Sequence, residues 1–222
     1  MWEPGSYSWA IKKWGVTDEK DLEVLAYAMS SRRYTAIPQN YEDWANYIGE
    51  DGLVYLNSGY SAMGQLLNYW MGVENTVYAS YDFEGELEEC VRKINDNTLQ
   101  QIEMMASQFS APVIIMGDNF SSDVQSPPFF SRWSKDFYTK AYEIIHQHGK
   151  KVAVHVDGKL KGAIQMMKDI GVDCIDAVTP GSVGGCTAAQ AREEAGKDLI
   201  LSGGIPNELW YGYSPIEKFD EA

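Results

Sequence analysis

Positive charge, cysteine and long apolar runs are all scarce in this chain, and each scarcity excludes something. Lys and Arg number 18 against 32 Asp and Glu, a formal charge of −14. Nucleic acids and anionic membrane surfaces are bound through basic patches, so neither is expected as a partner. The same deficit suits a polyanionic substrate poorly, unless a local basic pocket overrides it. Cysteine occurs only as Cys90, Cys174 and Cys186, with no Cys-x-x-Cys pair and no even disulfide set. A reducing cytoplasm is the expected compartment. No run of about eighteen apolar residues is present, so no membrane span is expected. The first residues lack a basic stretch followed by an apolar core, so no secretory signal is expected. No Gly-x-Gly-x-x-Gly follows a strand and no Walker sequence occurs, which removes two phosphate-cradling motifs.

What is present is an ordinary globular composition, 45% hydrophobic and 23% charged, with length for one large domain or two small ones. The many aromatics read as core and interface packing rather than a platform for bases. Up to residue 51 the chain reads as helical. Thr17 is a candidate N-cap for a helix to about Met29, and Pro38 opens a second piece carrying Tyr41, Trp44, Tyr47 and Ile48. A short strand is expected at Leu53 to Leu56. From Leu87 to Phe109 apolar residues recur at steps of three and four, which is one long core-facing helix or a coiled-coil seam.

Beyond residue 111 strand and helix signals alternate. Ala111 to Met116 reads as a strand ending in Gly117-Asp118-Asn119, and Pro127 opens a helix toward His148. Further strands are expected at Lys151 to Val156, Cys174 to Val178 and Asp198 to Ser202, with helices between them. Such alternation makes a parallel sheet covered by helices. Glycines at the strand ends favour a (β/α) barrel, and about five strands are legible. The expected fold class is α/β, a (β/α)8 TIM-barrel type that is incomplete, with a helical segment at 1–51 and the partial barrel at 52–222.

The candidate chemistry lies at strand ends, where parallel barrels carry their working residues. The central stretch is Lys151 to Gly158, Lys-Val-Ala-Val-His-Val-Asp-Gly. His155 and Asp157 are two apart and so share a side. Neighbouring strand ends offer Asp118 with Asn119, Asp176, and Ser202 with Gly203 and Gly204; Glu208 follows shortly. Imidazole and carboxylates can hold a divalent metal such as zinc, or move protons without one. Catalysis is expected from Asp118, His155 and Asp157, metal binding from His155 and Asp157, and substrate contacts from Asn119, Asp176, Gly203, Gly204 and Glu208.

The succession of Pro112 to Asp118, Ser126-Pro127-Pro128-Phe129-Phe130, Gly149-Lys150-Lys151, His155-Val156-Asp157-Gly158, Gly171-Val172-Asp173 and Ser202-Gly203-Gly204-Ile205 resembles the uroporphyrinogen decarboxylase superfamily. The resemblance covers about residues 52 to 210. It implies a (β/α)8 barrel and either decarboxylation in tetrapyrrole synthesis or cobalamin-dependent methyl transfer. The decarboxylase's Arg-rich substrate loop has no counterpart here. Asp157 stands where thiol-methylating relatives carry the first Cys of a zinc site. An oxygen ligand leaves zinc a harder Lewis acid, suited to an ether or alcohol oxygen. The resemblance therefore implies methyl transfer from a small O- or N-methyl substrate to a corrinoid on a partner protein, assisted by zinc. A decarboxylase-type lyase and a non-catalytic partial-barrel binding module, closed by a second copy in a homodimer, are the alternatives.

Overall fold

The computed structural model describes residues 2–3, 8–205 and 209. Two compact units divide the chain: residues 1–32 with 62–97, and residues 33–61 with 98–222.

In the first unit Trp2–Glu3 (β1) pairs antiparallel with Ser8–Trp9 (β2). Glu19–Ser30 (α1) is capped by Asp18, whose carboxylate accepts from the Asp21 N–H. Thr17, the expected cap, instead donates to the Asp21 carboxylate, so the helix starts one residue later. Ala62–Gln65 (α3) runs into a π-helical turn over Leu66–Trp70, and Gly72–Asp82 (α4) follows. Leu22, Met63, Leu66 and Met71 are buried here.

The second unit contains Pro38–Ile48 (α2) and a five-stranded parallel sheet. Its strands are Leu56–Asn57 (β3), Val113–Phe120 (β4), Lys151–Val156 (β5), Cys174–Val178 (β6) and Ile200–Gly203 (β7), side by side in chain order. The helices are Pro127–Trp133 (α6), Lys135–Gln147 (α7), Ala163–Asp169 (α8) and Ala188–Ala195 (α9). Glu84–Gln108 (α5) has residues in both units and is one helix, close to the expected span. The expected helix from Pro127 to His148 is broken at Ser134, whose hydroxyl donates to Gln125. β3 and β7 each start later than the sequence suggested.

Strand alternation decides which side chains pack. Ile114, Met116, Val152, Val154, Val156, Ile175 and Val178 point outward and are buried among Tyr138, Ala141, Tyr142, Ile145, Ile164 and Met167 of the helices. The opposite, inner face of the arc is thinly covered: Leu53, Tyr55 and Ile200 are 60%, 52% and 60% exposed. β4 and β5 run in register from Val113 and Lys151 to Met116 and Val154, then re-pair at Phe120 and Val156. Four steps of β4 thus match two of β5. The surplus forms a bulge containing Asn119 at φ 47°, a left-handed conformation that Asn tolerates better than most residues.

The two faces make opposite predictions. Ile114→Ala removes a fully buried side chain and should cost about 3 kcal/mol of stability in urea unfolding. Ile200→Ala, on the exposed inner face, should change it by less than about 0.5 kcal/mol.

Candidate active site on the inner face of the sheet

Val152, Val154 and Val156 turn toward the helices, which leaves Lys151, Ala153 and His155 on the inner face. β6 repeats the arrangement, with Ile175 outward and Cys174 and Asp176 inward. His155 and Asp176 are register partners across β5 and β6. Their side chains meet: His155 Nδ1 lies 2.9 Å from Asp176 Oδ2. Ser202 of β7 donates from Oγ to Asp176 Oδ1 at 3.2 Å. The imidazole and carboxylate are each about one-third exposed, at 34% and 33%. Below this row the inner face encloses a cavity of about 440 Å³ lined by Tyr55, Ile115, Ala153, Cys174, Asp176 and Ser202, among others.

Two carboxylates expected beside His155 have other places. Asp157 lies one residue past β5, is exposed, and its N–H donates to the Phe120 carbonyl. The carboxylate that bonds His155 is therefore Asp176, from the next strand. Asp118, expected on the open rim, is enclosed. β4 does not end at Met116 but continues, so Asp118 keeps the outward side with Ile114 and Met116. There its carboxylate accepts from the Ser61 N–H at 2.6 Å, from the Ser61 hydroxyl, and from the Tyr138 hydroxyl of α7. Burial pushes its pKa up, against the lowering pull of those three donors. Tyr138 is pushed well up by the same burial and by the neighbouring Asp118 charge. Ser61 and Tyr138 were not singled out in the sequence. The available signal was Tyr138 four residues before Tyr142 on an apolar helix face.

The glycines serve the backbone. Gly203 has φ 117°, and a Cβ there would lie 2.6 Å from the Val178 carbonyl, a contact only glycine permits. Gly158 has φ 106° and a Cβ would meet Ser121 Oγ at 2.8 Å, so the turn out of β5 needs glycine too. Gly204 donates its N–H to the Val178 carbonyl at 2.7 Å. Asn119 is exposed at the bulge. Glu208 lies outside the described residues.

At the opposite end of the strands Asp173 bonds His146 at 2.7 Å, Lys151 at 2.8 Å and the Val152 N–H at 2.9 Å. Burial raises its pKa, but those three partners outweigh it and hold the carboxyl below its usual range. This cluster ties α7, β5 and β6 together. His148 pairs with Glu103 at 2.8 Å.

A catalytic zinc takes three protein ligands and an open position. Among the described residues no three His, Cys, Asp or Glu side chains converge as such a set. His155 Nε2 is one available nitrogen, and its Nδ1 is engaged by Asp176. The described side chains alone do not make up a zinc site. What they do provide is an imidazole oriented by a carboxylate, the usual arrangement for moving a proton at the far ring nitrogen.

The family model for uroporphyrinogen decarboxylase (URO-D) matches residues 51–212. No curated protein matches the chain. Among solved structures, a methyltransferase from Methanosarcina mazei superposes with a TM-score of 0.63 at 17% identity, over 90% of this chain and 53% of its own. The chain thus spans about half the length of that methyltransferase. The likeness establishes an α/β fold of the TIM-barrel type, present here as a five-stranded partial barrel. No described helix is long and apolar enough to cross a membrane.

Asp118→Ala leaves the Tyr138 and Ser61 donors without their acceptor and should cost about 3 kcal/mol. Asp118→Asn keeps an acceptor and lets the hydroxyls reverse, so it should cost less. The raised pKa of Asp118 fixes a pH trend. A group that binds its proton more tightly when folded stabilises fully below its unfolded value, 3.8 here. That stability is lost as the pH rises through the folded value. The stability of the parent should therefore fall relative to Asp118→Asn as the pH climbs from acid toward neutral, measured by thermal unfolding across that range.

Proposed function

Because the chain belongs to the uroporphyrinogen decarboxylase family, we propose that it acts as a methyltransferase-like member, passing a methyl group from a small O- or N-methyl substrate to a corrinoid on a partner protein. The observation that carries this reading is the His155–Asp176 pair on the open inner face. Support for the reaction class comes from the Methanosarcina mazei protein, a methyltransferase of like fold.

Breaking a methyl–oxygen or methyl–nitrogen bond leaves an electron pair on the heteroatom. In the ether or alcohol case that oxygen needs a proton to leave at neutral pH. His155, protonated on both ring nitrogens, gives up the Nε2 proton to it. The Nδ1 proton stays on the bond to Asp176, which holds the ring with Nε2 toward the open face. A reduced corrinoid held by the partner protein would supply the nucleophile that takes the methyl group. Asp118, bonded to Ser61 and Tyr138 in the layer beneath, holds the β4 bulge in place and takes no part in proton transfer.

The decarboxylase alternative fits the inner face less well. A porphyrinogen carries many carboxylates, and the cavity is lined by Asp173, Asp176 and Asp198. Its one lysine, Lys151, already bonds Asp173. The binding-module alternative draws on a separate observation, the exposure of Leu53, Tyr55 and Ile200.

The test mixes the purified chain with a reduced corrinoid protein and a panel of methoxylated and N-methylated compounds, following corrinoid methylation by absorbance. Transfer from at least one compound is expected. His155→Ala should slow it by about 100-fold or more where an oxygen leaves, as loss of a general acid does. Carbon dioxide release from uroporphyrinogen with no methylation from any compound would replace this reading with the lyase. Inertness in both assays would leave the binding module.

A further inference from the structure

His155 is flanked on one side by two residues from successive strands, Asp176 on β6 and Ser202 on β7. We propose that Asp176 and Ser202 are positioning residues, which together fix the His155 ring in the Nδ1–H tautomer and aim its Nε2 away from β6. The part this plays in proton delivery rests on the methyl-transfer reading; the tautomer itself does not.

Both oxygens of Asp176 are committed. Oδ2 lies 2.9 Å from His155 Nδ1 and Oδ1 accepts from Ser202 Oγ at 3.2 Å. An ionised carboxylate only accepts, so the hydrogen on that bond belongs to Nδ1. The lone pair of neutral His155 is then on Nε2, the nitrogen with no partner among the described residues. Ser202 prevents the carboxylate from rotating away, because rotation breaks a second bond.

The backbone supplies an independent observation. Ala177, next to Asp176, has φ 64°, a left-handed conformation that costs energy for any residue with a Cβ. It sits where the pairing of β6 and β7 shifts, between Ile175 and Val178. Bulges of this kind turn one side chain relative to its neighbours. Here Ile175 and Val178 both remain in the outer core, three positions apart, while Asp176 stays level with His155. The strain has no packing return of its own, since Ala177 is only half-buried. Nor is the pair a strong folding contact, because an ion pair exposed to this degree contributes little.

The test reads the tautomer directly by nitrogen NMR of the imidazole, with the full chain labelled on histidine and held near pH 8, above the ordinary histidine value. Parent protein should show His155 protonated on Nδ1 and bare on Nε2. Asp176→Ala should move it toward the Nε2–H form that free imidazole side chains prefer, and Ser202→Ala should move it part of the way. Asp176→Asn keeps the side-chain shape, but with its oxygen accepting from Ser202 its amide N–H faces Nδ1, so this folded variant should move the ring to the Nε2–H form at least as far as Asp176→Ala does. In methyl transfer, Asp176→Ala should lower kcat by about 10-fold with KM little changed, the size seen when the partner of an active imidazole is removed. A His155 spectrum that is the same in parent and Asp176→Ala overturns the proposal. A tautomer that moves as expected, in a parent that methylates no corrinoid, sustains the positioning role and sinks the methyl-transfer reading instead.

Discussion

Three outward-pointing valines, Val152, Val154 and Val156, hold His155 where it is. Each is at most 1% exposed against the helices. A strand alternates sides with a period of two, so a slip of one residue would bring all three onto the open face and drive His155 into the core. Burying an unpaired imidazole there costs more than the valines lose by any smaller adjustment. The register of β5 is therefore fixed by hydrophobic packing on one face. The polar residues on the other face inherit their positions from it. β6 follows because Val154 pairs with Ile175, and Asp176 then falls level with His155.

Asp118 and Asp176 show how one side-chain type is divided by environment. Both stand near the ends of strands that flank β5. Asp118 is enclosed, and three donors saturate it. Its surroundings favour the protonated form through desolvation. Asp176 is one-third exposed and faces an imidazole and a hydroxyl. It keeps contact with solvent and with a group that exchanges protons. One carboxyl is closed off from any solute, and the other shares an open face with an imidazole. The bulge at Gly117–Asn119 is what separates them, by giving β4 an extra outward position that β5 does not match.

Much of the architecture was legible because it rests on periodicity. The parallel alternation beyond residue 111 and the Cys174–Val178 strand came from local signals that the structure shares. The partner of His155 was not legible. Sequence spacing favours Asp157, two residues away, whereas the hydrogen bond joins residues 21 apart on adjacent strands. Pairing of that kind depends on how β5 and β6 align, which hydrophobic contacts on the far face decide. Asp118 was misplaced for a related reason. A glycine followed by Asp-Asn reads as a strand ending in a turn. Here the strand absorbs those residues as a bulge and continues to Phe120, whose buried ring packs edge-on against Phe130.

The polar row and the bare apolar surface occupy one face of the same arc. His155, Asp176 and Ser202 come from three consecutive strands, so this chain assembles them unaided. Beneath them, Tyr55 and Ile200 remain open to solvent on an inner face that in a closed barrel is packed with side chains. The chain matches about half of the Methanosarcina mazei methyltransferase, and its described parallel sheet has five strands. Packing demands and chemical demands thus separate along the strands. The row at the carboxyl ends joins His155, Asp176 and Ser202 without further cover and leaves His155 Nε2 open among the described residues. The apolar layer below it is the part whose energy improves on covering, by roughly 25 cal/mol for each Å² of apolar surface removed from water. A cover over that lower layer would leave the His155 row beside the mouth and lower the local dielectric around it, strengthening the bond to Asp176. Closing the inner face therefore acts on the same imidazole that the outer valines put in place.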